Sequence, residues 1–410
     1  MAFKKEEKPG EVLADKGGKG ILTSVLKIHR SEEIRKASSE ELLGKLLDAD
    51  TKFTAKISIL AEIQERVMDG DLFFTKKKAI EDIFGGCINE TNSMVAEAYG
   101  DVIAEIAERP GGGITITNLL RKESPELYAF IKNKRKKDIK NGTALHVLNN
   151  QEIAGVLYMY KAFGEDGKKV MELIDKYNIT YGIRYSPEFL NKMYDGIKGK
   201  QDETMPLCIV VMTKDDWNGA FYNDRAIYDQ LSETHRVAVV EVETDTDFYK
   251  KINEIRDMHG KASLMIIGGH GNPEGIRLGR GGTEREYIDE TDIKQEESEM
   301  TGVGSAISKG GTVILASCST GKGRQPIAAL LSKATGRRVV APKKDSSISA
   351  INAHFSAAGA YIYEVNYLAG SGLDKFEGSV FVWGINLDWV SGLLKKDWKL
   401  SGLIPKKEKK

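Results

Sequence analysis

Apolar residues recur at helical spacing over the first half of the chain. Leu42 and Leu46 lie one turn apart just after Ser38, and Glu41 stands three residues beyond that serine. Such a Ser-x-x-Glu arrangement before an apolar stripe predicts a capping box at a helix start. Similar stripes, interrupted by Gly and Pro, continue to about residue 199. The pattern therefore predicts a mainly α-helical region over residues 23–200.

From about residue 201 short continuous apolar runs alternate with amphipathic segments. Continuous runs of branched apolar residues are typical of buried parallel strands. Helices between such runs indicate crossover connections over one parallel sheet. We expect an α/β domain over residues 201–404, with helices on both faces of a mostly parallel sheet. The predicted strands are 207–212, 237–242, 264–267, 312–316 and 338–342, with further edge strands near 360–365 and 379–383.

Composition and charge narrow the class of protein. The chain has 410 residues, with 60 Lys plus Arg against 60 Asp plus Glu. This balance gives no pull toward nucleic acid or an anionic membrane. No apolar run approaches the ~18 residues that would span a bilayer, and the charged N-terminus lacks a secretory pattern. Three cysteines, an odd and sparse set, favour a reducing compartment. We expect a cytoplasmic protein with a flexible tail at 1–22 and a charged tail at 405–410.

Two of the predicted strands lead directly into chemically reactive residues. His270 follows the strand 264–267 in the sequence Gly-Gly-His-Gly-Asn, and Cys318 follows the strand 312–316 in Ser-Cys-Ser-Thr-Gly. The carboxyl ends of parallel strands meet at one edge of a sheet, so these residues should lie together although they are 48 positions apart. A Cys–His pair suits nucleophilic catalysis, in which the imidazole activates the thiol. The amides of Gly271 and Cys318 are the candidate oxyanion donors.

Other cysteines, histidines and glycine-rich turns have simpler interpretations. Cys208 stands in mid-strand and Cys87 in a helical segment, where a thiol packs as a small hydrophobe. His259 ends a polar helix and is expected to be structural. The turn Ser319–Gly323 approaches a phosphate-binding loop, but it lacks the first glycine and the final Ser or Thr of that motif. No local ligand cluster supports a His/Cys metal site.

An apolar strand ending in His-Gly, followed by an apolar strand ending in a small residue and Cys, resembles the caspase-like cysteine peptidases of clan CD. The resemblance covers about residues 205–400. It implies a caspase-like sheet, hydrolysis of peptide bonds, His270 as base and acid, and Cys318 as nucleophile. Caspases carry Gln-Ala-Cys-x-Gly, whereas here Ser317 precedes the cysteine and Gly321 comes one position late. The motif is closer to the clostripain-like and toxin-domain branches than to true caspases.

The resemblance also places part of the specificity pocket in the loop after the first strand. Asp215 or Asp216 there would pair with a substrate Arg or Lys, whereas Arg225 would favour an acidic residue. Glu274 would line the pocket or orient the imidazole. We expect cleavage after basic residues, in which case Arg277, Arg280 and Arg285 are candidate self-cleavage sites.

Several alternatives remain open at the level of sequence. The acid-rich segment 284–299 is a regulatory loop, a calcium site or a solvated helix, and the last is favoured. The basic run 132–137 is a solvated face or an anion site. No cofactor is expected apart from that calcium alternative. The helical region would regulate the peptidase or bind a partner protein, and a catalytically inactive caspase-like module is the alternative function.

Overall fold

A computed structural model describes residues 31–214, 225–355, 361–369 and 374–388. Within these ranges an N-terminal helical region precedes a seven-stranded sheet with associated helices. The predicted α/β class, with a mostly parallel sheet after a helical region, is therefore confirmed. Both predicted tails lie outside the described residues.

The helical region is built from short amphipathic helices with defined ends. At the start of the second helix, Ser38 Oγ accepts from Glu41 N at 3.2 Å, and the Glu41 carboxylate accepts from Ser38 N, so the predicted capping box is present. Pro110 and Pro125 open helices at a position where a missing N–H costs nothing. The helices are α1 Glu32–Lys36, α2 Ser39–Leu47, α3 Phe53–Met68, α4 Lys77–Asn89, α5 Ser93–Glu108, α6 Pro110–Glu123, α7 Pro125–Asn141, α8 Asn150–Ala162, α9 Gly167–Tyr177 and α10 Pro187–Ile197, with 3-10 helices at Leu72–Thr75 and Gly182–Arg184.

The strands of the second half form one large and two small sheets. They are β1 Leu207–Thr213, β2 Arg236–Val242, β3 Ala262–Gly268, β4 His270–Asn272, β5 Gly275–Arg277, β6 Tyr287–Asp289, β7 Ile307–Ala316, β8 Arg338–Ala341, β9 Ser346–Phe355, β10 Tyr361–Ala369, β11 Lys375–Glu377, β12 Ser379–Val382 and β13 Ile385–Asn386. The large sheet has the order β13-β12-β8-β7-β3-β1-β2. Its five strands from β8 to β2 are parallel, whereas β12 pairs antiparallel with β8, and β13 pairs antiparallel with β12.

The two small sheets are both antiparallel. One is the hairpin β4-β5 with β6, and the other has the order β11-β10-β9. The segment expected near 360–365 thus belongs to β10 in a separate sheet, because it pairs with its hairpin partner β9 instead of the large sheet. The associated helices are α11 Arg225–Thr234, α12 Asp245–His259, α13 Glu290–Gln295, α14 Glu297–Ser305 and α15 Ile327–Thr335, with a 3-10 helix at Glu284–Glu286.

The helical region and the sheet share one hydrophobic core among the described residues, which extends from Leu42 to Phe381. A buried carboxylate, Glu241 in β2, fastens the two parts: it accepts from the amides of Thr180 and Tyr181 at 2.7 and 3.1 Å and from the Tyr185 hydroxyl at 3.0 Å. Among the described helices, none combines the length and the apolar character that a bilayer crossing would need.

Candidate functional site

His270 stands where the chain leaves the central sheet and enters a hairpin. It is the first residue of β4 and pairs with Arg277 of β5. The preceding Gly269 packs against that strand so closely that a Cβ there would lie 2.6 Å from the Arg277 carbonyl oxygen. Only glycine fits this approach, and the hairpin consequently holds the imidazole, half-buried, at the carboxyl end of β3.

Cys318 lies in a tight turn just after β7. Ser319, next in the chain, has φ +56°, a left-handed conformation that side chains rarely adopt. The turn is held by Ser319 N donating to the Lys344 carbonyl at 3.1 Å and Gly321 N donating to the Pro342 carbonyl at 2.8 Å. The amides of Ser319 and Gly321 are therefore already hydrogen-bonded, whereas a phosphate-binding loop would use such amides to bind the phosphate. The turn leaves Cys318 partly exposed, whereas Cys87 and Cys208 are buried.

The sheet register brings the two reactive residues to the same edge. Gly268 of β3 pairs with Ala316 of β7, so His270 and Cys318 each stand two residues beyond one matched pair. The next residue after the histidine, Gly271, packs on the cysteine turn: a Cβ there would lie 2.8 Å from Ser317 Cβ and 3.0 Å from the Cys318 carbonyl oxygen. The two loops are therefore in direct contact, as a His–Cys pair requires.

Burial and nearby charges set the resting protonation of this pair. Burial, followed by the positive charges of Arg277 and Arg184, lowers the pKa of His270 to about 4. Burial also raises the pKa of the Cys318 thiol; backbone hydrogen bonding at Ser346 opposes this rise, and the Asp345 carboxylate adds to it. At neutral pH the pair consequently rests as imidazole and thiol, not as imidazolium and thiolate.

The candidate oxyanion donors lie on the two contacting loops, the Gly271 amide on one and the Cys318 amide on the other. A further polar group near these loops, the hydroxyl of Ser317, was not predicted from the sequence. Its oxygen is buried, and no described residue hydrogen-bonds to it. A serine that merely precedes the cysteine has no distinctive pattern, so only the fold reveals its position beside Gly271.

Of the four proposed pocket residues, the structure describes the side chain of one, Glu274. Asp215 and Asp216 lie outside the described residues, and Arg225 opens α11 with a side chain that is likewise not described. Glu274 is exposed in the turn between β4 and β5, where its amide donates to Asn272 Oδ1 at 2.9 Å. This turn is the end of the hairpin opposite His270.

A second unforeseen residue near the site is Arg184 from the helical region. Its side chain is fully buried, and its Nη1 donates to the carbonyl oxygen of Thr213, the last residue of β1, at 2.8 Å. The guanidinium lies over the Tyr181 ring, 4.3 Å from the centroid. Because Arg184 is remote in sequence and lies in a helical region, no local pattern connects it with the dyad.

Two clusters of charged groups include residues of the acid-rich segment and of the basic run. The carboxylates of Asp245, Asp292 and Glu296 each offer an oxygen, and these oxygens lie within 4.8 Å of one another. Burial raises the pKa of Asp292 to about 7. In the basic run, Arg135 is buried and its Nη2 lies 2.8 Å from Glu243 Oε2, so at least this member of the run is structural.

His259 has the structural role expected from sequence, since its Nε2 lies 2.8 Å from the Tyr177 hydroxyl at the boundary between α12 and the helical region.

Residues 237–355 match a family model described as a domain of unknown function (DUF8616). This match runs from β2 to the end of β9 and contains both His270 and Cys318. No curated protein and no solved structure gives a significant match to the chain.

Proposed function

We propose that the chain is a caspase-like cysteine endopeptidase with Cys318 as nucleophile and His270 as general base and acid. The observation that carries this proposal is the contact between Gly271 and the Cys318 turn, together with the shared strand register of the two reactive residues. Two loops that converge at the carboxyl edge of a parallel sheet are a common location for catalytic groups. The caspase-like arrangement of the sheet belongs to the same proposal.

The resting protonation defines the first chemical step. The neutral imidazole of His270 accepts the thiol proton as Cys318 Sγ attacks the substrate carbonyl carbon, which gives a tetrahedral oxyanion. Collapse of this intermediate breaks the C–N bond, and the imidazolium returns its proton to the leaving amine. A water molecule, deprotonated by His270, then hydrolyses the thioester and releases the acid and the free thiol. The amides of Gly271 and Cys318 are the donors assigned to the oxyanion.

An extended peptide is supported as the substrate by the strand that begins beside the nucleophile. Cys318 Sγ lies 3.8 Å from the carbonyl oxygen of Ser346, the first residue of β9. β9 pairs with β10 along one side, and no described strand pairs with its other side. An unpaired edge offers main-chain donors and acceptors to an added strand. A peptide bound in this way would pass the thiol.

We propose that Asp215 or Asp216 selects a basic residue before the scissile bond of the substrate. The opposite outcome, selection of an acidic residue, is the one that Arg225 would favour. A panel of fluorogenic peptides that vary only in the residue before the scissile bond would measure this. Preference for Asp or Glu would contradict the assignment of the two aspartates.

The dyad is tested by Cys318→Ala and His270→Ala, with Cys208→Ala as the matched cysteine control. Each dyad variant should lose at least ~10³-fold in kcat/KM, because residues that act as one catalytic unit are costly to remove individually. Iodoacetamide should label Cys318 much faster than the buried Cys87 and Cys208. If the purified chain cleaves no peptide of the panel and Cys318 labels no faster than Cys87, the inactive-module alternative replaces this proposal.

A further inference from the structure

We propose that Arg184 is a positioning residue for the His270 hairpin, so that the helical region forms a built-in part of the catalytic site. This inference rests on the proposed peptidase function and extends it to a residue outside the α/β region. It assigns the helical region a role distinct from the recruitment of a partner.

A continuous series of contacts joins Arg184 to the hairpin. Its Nη1 donates to the Thr213 carbonyl oxygen at the end of β1, and Thr213 Oγ1 in turn donates to the Leu278 carbonyl oxygen at 2.5 Å. Leu278 directly follows Arg277, the cross-strand partner of His270. The end of β1 is therefore fixed on one side by the helical region and on the other by the strand that holds the histidine.

A second contact from the helical region reaches the same strand end. Lys214, the residue after Thr213, is buried, and its Nζ lies 3.5 Å from Glu152 Oε1 of α8. The amide of Lys214 donates to the Val242 carbonyl oxygen at 2.8 Å, which ties it to β2 as well. Two adjacent residues at the carboxyl end of β1 are thus anchored by groups of the helical region. The strand end cannot shift without disturbing both anchors.

The charge of Arg184 also favours the neutral form of His270. The pKa of this histidine is lowered mainly by burial, then by Arg277 of β5, and then by Arg184 of the 3-10 helix Gly182–Arg184. A nearby positive charge disfavours the imidazolium form. Arg184 consequently helps to keep His270 neutral, the form that accepts the thiol proton.

Burying an arginine is energetically unfavourable at a position that needs only packing. Removing a guanidinium from water costs several kcal/mol in general unless hydrogen bonds and favourable charges compensate. A planar, permanently charged group with several donors suits a site where both direction and charge matter. The position of Arg184 at a strand end beside the dyad is consistent with such a use.

The test compares Arg184→Met with Arg184→Lys, and uses Arg280→Met on the exposed loop after β5 as the matched control. NMR titration of the six histidines, with the His270 signal assigned by its loss in His270→Gln, measures the imidazole directly. Arg184→Met should move the His270 titration upward from about 4 and shift the acid limb of kcat in the same direction. Arg184→Lys, which keeps the charge, should restore the titration, while Arg280→Met should leave it unchanged.

Positioning is measured separately by amide hydrogen exchange over residues 270–278. Exchange there should rise at least ~10-fold in Arg184→Met and in Thr213→Val, because each variant breaks one link in the series of contacts. Thr213→Val preserves the side-chain shape, so its hydrogen exchange still tests the positioning of the hairpin if Arg184→Met does not fold. Unchanged exchange in folded Thr213→Val, or an unchanged His270 titration in folded Arg184→Met, would overturn the inference. Neither measurement needs turnover, so failure of the peptidase proposal would be recognised independently.

Discussion

Gly271 determines how closely the histidine loop approaches the cysteine turn. A Cβ at this position would lie 2.8 Å from Ser317 Cβ and from Thr320 Cγ2, distances that real side chains do not tolerate. Gly271→Ala should therefore separate the loops by a fraction of an ångström or more. Since misplacement by ~1 Å can reduce catalysis about 100-fold, we expect a loss of this order in kcat/KM.

The matched control for Gly271→Ala is Gly282→Ala, whose added Cβ would meet only Glu286 Oε1 at 3.5 Å, an ordinary contact. Activity should survive in this variant. Far-UV circular dichroism and thermal unfolding would establish that both variants are folded. If the proposed peptidase activity were unchanged in a folded Gly271→Ala variant, the close loop contact would be dispensable.

At the residue scale, the sequence predicted that His270 and Cys318 follow neighbouring strands, but it did not predict the groups that surround them. His270 and Cys318 could be found because each directly follows a predicted buried strand, and strand ends converge for topological reasons. Arg184 and the hydroxyl of Ser317 could not be found from the sequence, because their positions relative to His270 and Cys318 depend on tertiary packing. A fully buried arginine in particular contradicts the usual exposure of that residue type.

At the scale of elements, β2 is joined to the helical region by one carboxylate. Glu241 accepts from the amides of Thr180 and Tyr181 and from the Tyr185 hydroxyl, and all of these groups are buried. Glu241→Ala would remove the acceptor of these three donors and of Thr180 Oγ1, which also bonds to Glu152. Unsatisfied buried groups cost roughly 1–3 kcal/mol each, so we expect a loss of at least about 3 kcal/mol in the free energy of unfolding.

Urea denaturation measures this loss, and Glu172→Ala is the appropriate control. Glu172 forms a solvent-exposed ion pair with Lys198 at 2.6 Å, and its removal should have little effect because solvent screens the pair. Glu241→Gln, which retains an acceptor oxygen, should fall between the two. Equal free energies of unfolding for Glu241→Ala and Glu172→Ala would contradict the fastening role of Glu241.

The elements themselves were predictable where their patterns were long and regular. The capping box at Ser38 and the five parallel strands follow directly from residue spacing. The pairing of β10 with β9 was not foreseen, because a short apolar run does not reveal which neighbour it will pair with. A local hairpin provided the closer partner.

At the scale of the whole molecule, the change of pattern near residue 201 separates two types of secondary structure, but the core does not follow that boundary. One hydrophobic cluster of described residues includes Leu42 and Phe381, and buried polar contacts of Arg184, Glu152 and Glu241 cross between the two parts. Sequence periodicity reports which face of an element is apolar. It cannot report whether two neighbouring regions bury those faces against each other.

This shared core predicts that the helical region and the sheet unfold in one cooperative transition. Two probes can follow the parts separately, because all four tryptophans lie beyond residue 216 while ten of the fifteen described α-helices lie before residue 200. Tryptophan fluorescence and ellipticity at 222 nm should therefore give the same urea midpoint and the same dependence on urea. Glu241→Ala should shift both curves together to lower urea. Two separated midpoints in the wild-type chain would instead mean that the helical region folds independently, and a detachable recruitment domain would then be the better description of residues 23–200.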